Sequence, residues 1–356
     1  MTPSIVERPC LFDLDTLSLS QRLGGPGRAR NVFRVLAAGQ NPFDDGVLPS
    51  GLKKRLTAVT SPGKMRVDER SVAKDGTTKL LVALQDGTKV ETVIIPEIKN
   101  APRSTLCVSS QVGCARGCKF CVTATMGLVR NLSVAEIIQQ VYLGMMNTPP
   151  DQPLRNLVFM GMGEPLDNAR NVRTALGILT DHRGYGFAAK HITVSTVGPR
   201  ISAIEGLKGW PARLAWSLHA AIPSVRAQLV PAPHPNVSAI AQAFATVCAA
   251  DRRPLFVEMT LMAGLNDRPT DMAAAIALLS NFPTEVRFNL IAMNPGRTEG
   301  RLKPSERVED CQQQLIDAGF FCTIRRPRGQ DADAACGQLA VQPTRANDVL
   351  VSIQNR

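Results

Sequence analysis

Aromatic residues are scarce, 4% of 356, with two tryptophans and two tyrosines. Stacking bases on rings is therefore not the expected way for this chain to grip a nucleic acid. No apolar run approaches the roughly 20 residues that span a bilayer, although 44% of residues are hydrophobic. The opening Met1-Thr2-Pro3-Ser4 starts no basic segment followed by an apolar one. A soluble, cytoplasmic protein with no membrane partner is expected. Cysteines number nine, an odd count dense in only one place, so a secreted disulfide framework fits poorly. Acid is also short: 30 Asp and Glu against 41 Lys and Arg leave a net charge of +11. A field of that sign favours a polyanionic partner, with a basic surface kept for solubility as the plainer alternative.

What is present divides along the chain. Residues 1–70 carry short apolar patterns such as Val32-Phe33-Arg34-Val35-Leu36, broken by Gly24-Gly25-Pro26-Gly27 and Asn41-Pro42. They read as a small, mostly helical accessory domain. In residues 71–103, β-rich runs on either side of Asp86-Gly87 read as a hairpin extension and a connector. From residue 104 to 345, short apolar runs alternate with helical stretches. Strands are expected at Thr105 to Ser109, Asn156 to Met160, Ile192 to Thr196, Arg213 to Leu218, Leu255 to Leu261, Val286 to Ala292 and Phe321 to Arg325. Ser133-Val134-Ala135-Glu136 has the form of a capping box and predicts a helix start. Such alternation implies an α/β fold with a parallel sheet in a barrel or partial barrel, with chemistry at the carboxyl ends of the strands. Residues 346–356 are left as a tail.

The dense cysteines are Cys107 and the group Cys114, Cys118 and Cys121, spaced C-x3-C-x2-C directly after the first α/β strand. Three thiolates in one loop can hold three corners of a cubane cluster and leave the fourth iron to another ligand. Zinc competes, but structural zinc usually takes its ligands as two separated pairs, and no second CxxC or HxxxH exists here. Buried free thiols are a third reading.

The triad, Gly161-Met162-Gly163-Glu164-Pro165 after the second strand, Ser195 at the third and Ser217-Leu218-His219 at the fourth resemble the radical S-adenosylmethionine superfamily. Cys107-Val108-Ser109-Ser110-Gln111-Val112-Gly113-Cys114, Arg130-Asn131-Leu132-Ser133-Val134-Ala135-Glu136 and Asp333-Ala334-Ala335-Cys336-Gly337-Gln338-Leu339 narrow the match. Over about residues 79 to 345 the chain resembles the RlmN/Cfr family of radical RNA adenine methyltransferases. That resemblance implies a partial (β/α)6 barrel, a 4Fe-4S cluster on Cys114, Cys118 and Cys121, and two S-adenosylmethionine molecules per turnover. It implies cofactor contacts from Gly163, Glu164, Ser195, Ser217, Leu218, His219 and Asn294.

It also implies an order of events. Cys336 is methylated to S-methylcysteine, a 5′-deoxyadenosyl radical takes hydrogen from that methyl, and the carbon joins the adenine as a covalent enzyme–RNA adduct. Glu91 is the implied proton acceptor, and Cys107 the resolving thiol that forms a transient disulfide with Cys336. Read without the resemblance, Cys107 is a small buried hydrophobe, Glu91 a solvent-facing strand residue and Asn294 a turn former before Pro295. Cys336 sits among residues that suit an exposed loop. The implied partners are 23S ribosomal RNA, transfer RNA as a further substrate, and an electron donor such as flavodoxin or ferredoxin, acting on a monomer.

Basic clusters at Lys53-Lys54-Arg55, Arg252-Arg253 and Arg325-Arg326-Pro327-Arg328 favour RNA as a set, although each alone reads as a solvated face. The chain departs from the family in lacking an aromatic-rich helix near residue 33 and in a longer connector, Ile98 to Arg103. Two rivals stand beside adenine-C2 methylation: C8 methylation of the same base, the antibiotic-resistance chemistry of the sister group, and a non-catalytic iron–sulfur protein that binds RNA as a redox sensor. Arg326-Pro327-Arg328-Gly329 before Asp331 is closer to the C2 group.

Overall fold

A computed structural model describes residues 8–97, 102–294 and 302–339. Most of the Ile98 to Arg103 connector and the tail at 346–356 lie outside the described residues. Three helices open the chain: α1 (Thr16–Leu23), α2 (Pro26–Ala37) and α3 (Ser50–Val59). Three antiparallel strands follow, β1 (Arg66–Val72), β2 (Thr78–Ala83) and β3 (Lys89–Glu97). The expected hairpin is the β2–β3 pair. At its turn Gly87 has φ +83°, and the Asp86 carboxylate accepts from Thr88 N at 3.0 Å. Glycine takes that left-handed backbone at no steric cost.

The strand β4 (Arg103–Cys107) pairs antiparallel with β3 and parallel with the next main strand. A short ribbon, β5 (Gln111–Gly113) and β6 (Leu128–Asn131), then precedes α4 (Val134–Asn147). The remaining order is β7 (Leu154–Phe159), α5 (Ala169–Thr180), β8 (Ile192–Thr196), α6 (Ile201–Glu205), β9 (Arg213–Ser217), α7 (Pro223–Leu229) and α8 (Val237–Asp251). It closes with β10 (Leu255–Leu261), α9 (Pro269–Leu279), β11 (Val286–Ala292), α10 (Val308–Asp317) and β12 (Phe321–Ile324).

The ten main strands form one sheet in the order β1-β2-β3-β4-β7-β8-β9-β10-β11-β12, parallel from β4 onward. Six crossovers that carry helices make the expected partial (β/α)6 barrel, whose two edges are not joined by hydrogen bonds among the described residues. The capping box at Ser133 is formed, with Ser133 and Glu136 each accepting from the other's backbone. Strand alternation separates two environments. In β10, Leu255, Val257, Met259 and Leu261 are fully buried against the helical layer, while Phe256, Glu258 and Thr260 line cavities on the inner face. The core beneath the helices takes Trp216, Phe159, Phe244 and Phe288.

Two features escape the sequence reading. The strand β1 starts within residues 1–70 and runs on to Val72, hidden because an exposed edge strand reading Arg-Val-Asp-Glu-Arg-Ser-Val shows charge where a helical region is expected. Edge strands carry such charges against unwanted pairing. The amino-terminal helices also share one continuous core with the barrel, where Phe12 packs on Tyr142 with ring centroids 5.1 Å apart. Among the described residues no helix is long and apolar enough to cross a membrane.

Candidate active site

The cysteine loop leaves the carboxyl end of β4 and is pinched shut at its base by the β5–β6 ribbon. Cys114 N donates to Gly127 O at 2.8 Å, and Gly113 sits at φ +74°, where a Cβ would fall 1.8 Å from that oxygen. No larger residue closes the loop this way. Cys114, Cys118 and Cys121 then line one cavity of about 160 Å³ together with Glu164, Ser195 and Cys336. Burial raises all three thiols, Cys114 to about 11, and each is raised further by another cysteine. Unligated, they stay protonated at neutral pH; iron coordination supplies the positive charge that such thiols need to ionise. Among the described residues no three His, Cys, Asp or Glu side chains are placed to share a single ion. A cubane asks for something different, three thiolates on three separate irons, and the loop fits that demand.

The same cavity fits an amino-acid ligand. Glu164 is buried, accepting Leu166 N on Oε1 and Val197 N on Oε2, both at 3.0 Å. Burial raises its pKa despite these bonds. A desolvated carboxylate at a cavity wall suits an ammonium group. Ser195 Oγ and Ser217 Oγ are 2.9 Å apart on the wall beside it. His219, at φ 57°, accepts Thr260 N on Nδ1 and packs tilted against Phe120, ring centroids 4.5 Å apart. Burial, helped by Arg226, lowers its pKa to about 3, so the ring is neutral with its proton on Nε2.

Of the residues expected at the cofactor, Gly163, Glu164, Ser195, Ser217, His219 and Asn294 line this cavity. Leu218 does not: its side chain is fully buried and its carbonyl accepts from Arg226. At Gly163, φ +101°, a Cβ would lie 2.6 Å from Gln111 Cβ and 2.8 Å from Gln111 N. Gly163→Ala is therefore expected to weaken S-adenosylmethionine binding about 10- to 100-fold, from roughly 1–3 kcal/mol of strain. Anaerobic equilibrium dialysis measures this, and unchanged affinity would remove the close-approach argument.

A second cavity, about 420 Å³, holds Cys107 and Cys336 together and meets the first along Met160, Ile291, Asn294, Arg325 and Cys336. Cys336 is exposed on a loop tied to the cysteine loop by Val122 N to Gly337 O at 2.7 Å and Thr123 Oγ1 to Leu339 O at 2.6 Å. Asn294 Nδ2 donates to Cys336 O at 3.0 Å, so Asn294 reaches both the cavity wall and this loop. Cys107 is buried, and its pKa is pushed up to about 12, first by desolvation and then by Cys336, with Arg325 opposing.

Glu91 corrects the solvent-facing reading: it is buried, with Oε1 3.1 Å from Lys79 Nζ. Register places it on the inner face. Val93 pairs with Cys107, and Glu91, two residues back, projects from the same side. Lys79 Nζ also donates to Asp333 O at 3.2 Å, which links Glu91 to the Cys336 loop. No local pattern marks Lys79, Arg226 or Arg325 for these places; Gln111, whose Oε1 accepts Glu164 N at 2.9 Å, lies inside the motif.

A partial parallel barrel with three thiols after its first strand and a glycine-bounded carboxylate after its second defines a radical S-adenosylmethionine enzyme. The Radical SAM superfamily model matches residues 108–276. The dual-specificity RNA methyltransferase RlmN of Lawsonia intracellularis is 38% identical over 301 residues, 82% of this chain and 83% of its own. The RlmN of Syntrophobacter fumaroxidans is 36% identical over 350 residues, 95% and 99% of the two chains. A crystal structure of a radical SAM methyltransferase from Sphaerobacter thermophilus matches with TM-score 0.84 at 34% identity, over 94% of this chain and all of that one. The chain belongs to the RlmN/Cfr family of radical S-adenosylmethionine RNA methyltransferases, with the 4Fe-4S cluster and S-adenosylmethionine that the family carries.

Proposed function

We propose that the protein methylates C2 of an adenine in 23S ribosomal RNA, and of transfer RNA as well, through a methyl carried on Cys336. The observation that carries this reading is the position of Cys336, exposed on the lip shared by two cavities, one holding the cysteine triad and the other Cys107. An electron-poor aromatic carbon does not accept a methyl by simple displacement, so a carbon-centred radical is required. Bound at the triad, the cluster and S-adenosylmethionine supply that radical chemistry; a separate S-adenosylmethionine supplies the methyl, two per turnover.

The chain's residues divide the rest. The Cys336 thiolate takes a methyl by displacement. That methyl gives up a hydrogen atom, and its carbon bonds to C2, which joins enzyme and RNA. Glu91 takes the ring proton from C2, with Lys79 beside it to stabilise the carboxylate before transfer, and the unpaired electron that the addition leaves on the ring would return to the iron–sulfur cluster that the triad would hold, oxidised at that stage. The Cys107 thiolate attacks the Cys336 sulfur; the S–S bond forms, the S–C bond breaks, and the released electron pair is protonated to complete the new methyl group. An outside electron donor of the flavodoxin or ferredoxin kind reduces the cluster and the disulfide. We assign the chain to the cytoplasm as a monomer, with residues 1–70 contributing Lys54 and Arg55 to the RNA surface.

Glu91→Gln keeps shape and removes the base. RNA methylation is expected to fall about 100- to 10,000-fold, the usual range for general-base catalysis, while Cys336 still becomes methylated. Liquid chromatography with mass spectrometry of digested RNA reads the product. Appearance of 8-methyladenosine without 2-methyladenosine would overturn the C2 assignment.

A further inference from the structure

The basic pairs singled out in the sequence are not all available to RNA. Arg253 is spent on the carbonyls of Leu207, Trp210 and Ala212 and on Asp251. Arg325 turns inward to Glu258 at 3.4 Å. A different set of cations stands at the opposite end of the barrel from the cysteine triad. Four of the parallel strands carry one at or next to their first residue: Arg103 in β4, Arg155 in β7, Arg213 in β9 and Arg287 in β11. Lys190 precedes β8.

These groups converge. Arg103, Lys190 and Arg213 line a cavity of about 460 Å³ that runs up the barrel interior to Met160, Glu258 and Arg325, residues that also line the cavity with the triad and Cys336. The base-binding chemistry and this mouth therefore open onto one lumen, about 15 Å apart by the length of a five-residue strand. Arg213 and Arg287 lie over the same Phe256 ring, 5.5 and 5.8 Å from its centroid. His191 is held below its ordinary pKa by burial and then by Arg155, Lys190, Arg213 and Arg103.

Compensation is incomplete. Glu97 pairs with Arg103 and Glu285 with Arg287, whereas Arg155, Lys190 and Arg213, all exposed, have no carboxylate partner among the described residues. Cations gathered against their own repulsion around an open mouth call for an anion. Resting on the RNA reading above, we propose that Arg155, Lys190 and Arg213 form a phosphate track at the amino-terminal mouth of the barrel, which holds the strand flanking the target adenine. The few aromatic residues agree with grip by phosphate contact in place of stacking.

The test uses cluster-loaded protein and a fluorescein-labelled RNA hairpin with an adenine in its loop, titrated between about 50 and 200 mM salt. The variant Arg155→Ala/Lys190→Ala/Arg213→Ala is expected to bind about 10- to 100-fold more weakly at the low-salt end. Its log–log salt slope is expected to be shallower by about 2, from roughly 0.7–0.9 per lost phosphate contact. Lys190→Ala alone is expected to lose less than one unit of slope, and Arg155→Lys/Arg213→Lys to keep the wild-type slope. A triple variant with wild-type slope and affinity overturns the track while wild-type methylation keeps the RNA reading intact. A wild type that neither binds nor methylates RNA overturns both. If the triple variant binds RNA normally but turns over slowly with a protein electron donor and normally with dithionite, the mouth serves an acidic protein and the track is wrong.

Discussion

Cys336→Ala is expected to abolish methylation of RNA, by about 10,000-fold or more, while the visible absorbance of the cluster is unchanged. The size follows from removing the atom proposed to carry the methyl group, a loss of the kind seen when a covalent nucleophile is deleted. The cluster is expected to survive because the three cysteines proposed to hold it lie in another loop, closed by Gly113, Cys114 and Gly127 independently of Cys336. Among the described residues the two loops are tied by Val122 N to Gly337 O and Thr123 Oγ1 to Leu339 O, hydrogen bonds that do not use the thiol. Quantifying 2-methyladenosine beside the absorbance spectrum checks both halves. A redox-sensing protein with no transferase activity predicts no effect, and so does direct methylation that bypasses the thiol.

Cys107→Ala is expected to do the reverse: chemistry proceeds to the covalent stage and stops there. Burial and the approach of Cys336 push the Cys107 thiol up to about 12, so almost none is ionised at neutral pH in the resting protein. Arg325 is the cation that opposes this shift, and its guanidinium lines both cavities that hold the two thiols. Without Cys107 there is no sulfur on the inner face of β4 to attack Cys336, and the enzyme remains joined to the RNA base. A denaturing gel should show a band at the summed mass of enzyme and RNA, sensitive to nuclease. Multiple turnover by Cys107→Ala with no such band would remove Cys107 from the reaction.

Much of this arrangement was legible in the chain because its signals are local. The runs at Ile192–Thr196, Leu255–Leu261 and Val286–Ala292 are β-rich and bounded by turn residues, and the strands form at those limits. Three cysteines in eight residues, and glycines around Glu164, narrow the chemistry by spacing, and the family resemblance assigns it. What was hidden depends on partners distant in sequence. Glu91 looks solvent-facing until Lys79 and the neighbouring β4 enclose it. Arg226 looks like a surface residue on a short helix, yet it is fully buried and donates to the carbonyls of Ser217, Leu218 and Val197. Arg252-Arg253 reads as a basic patch, although Arg252 occupies a left-handed helix end at φ 51° and Arg253 ties down three carbonyls. The strand-end cations are invisible as a group, since only the parallel sheet brings residues 103, 190 and 213 to one mouth, with Arg155 close enough to act on His191 beside it.

The central claim is that the methyl group travels through Cys336 and loses a hydrogen atom there. S-adenosylmethionine bearing a trideuterated methyl tests it most directly, in an anaerobic reaction with RNA followed by mass spectrometry of the nucleosides and of the peptide that contains Cys336. The account predicts the label on Cys336 with all its deuterium, and 2-methyladenosine with one deuterium replaced by hydrogen. A nucleoside that keeps the methyl fully deuterated, formed by an enzyme whose Cys336 is never labelled, would contradict it.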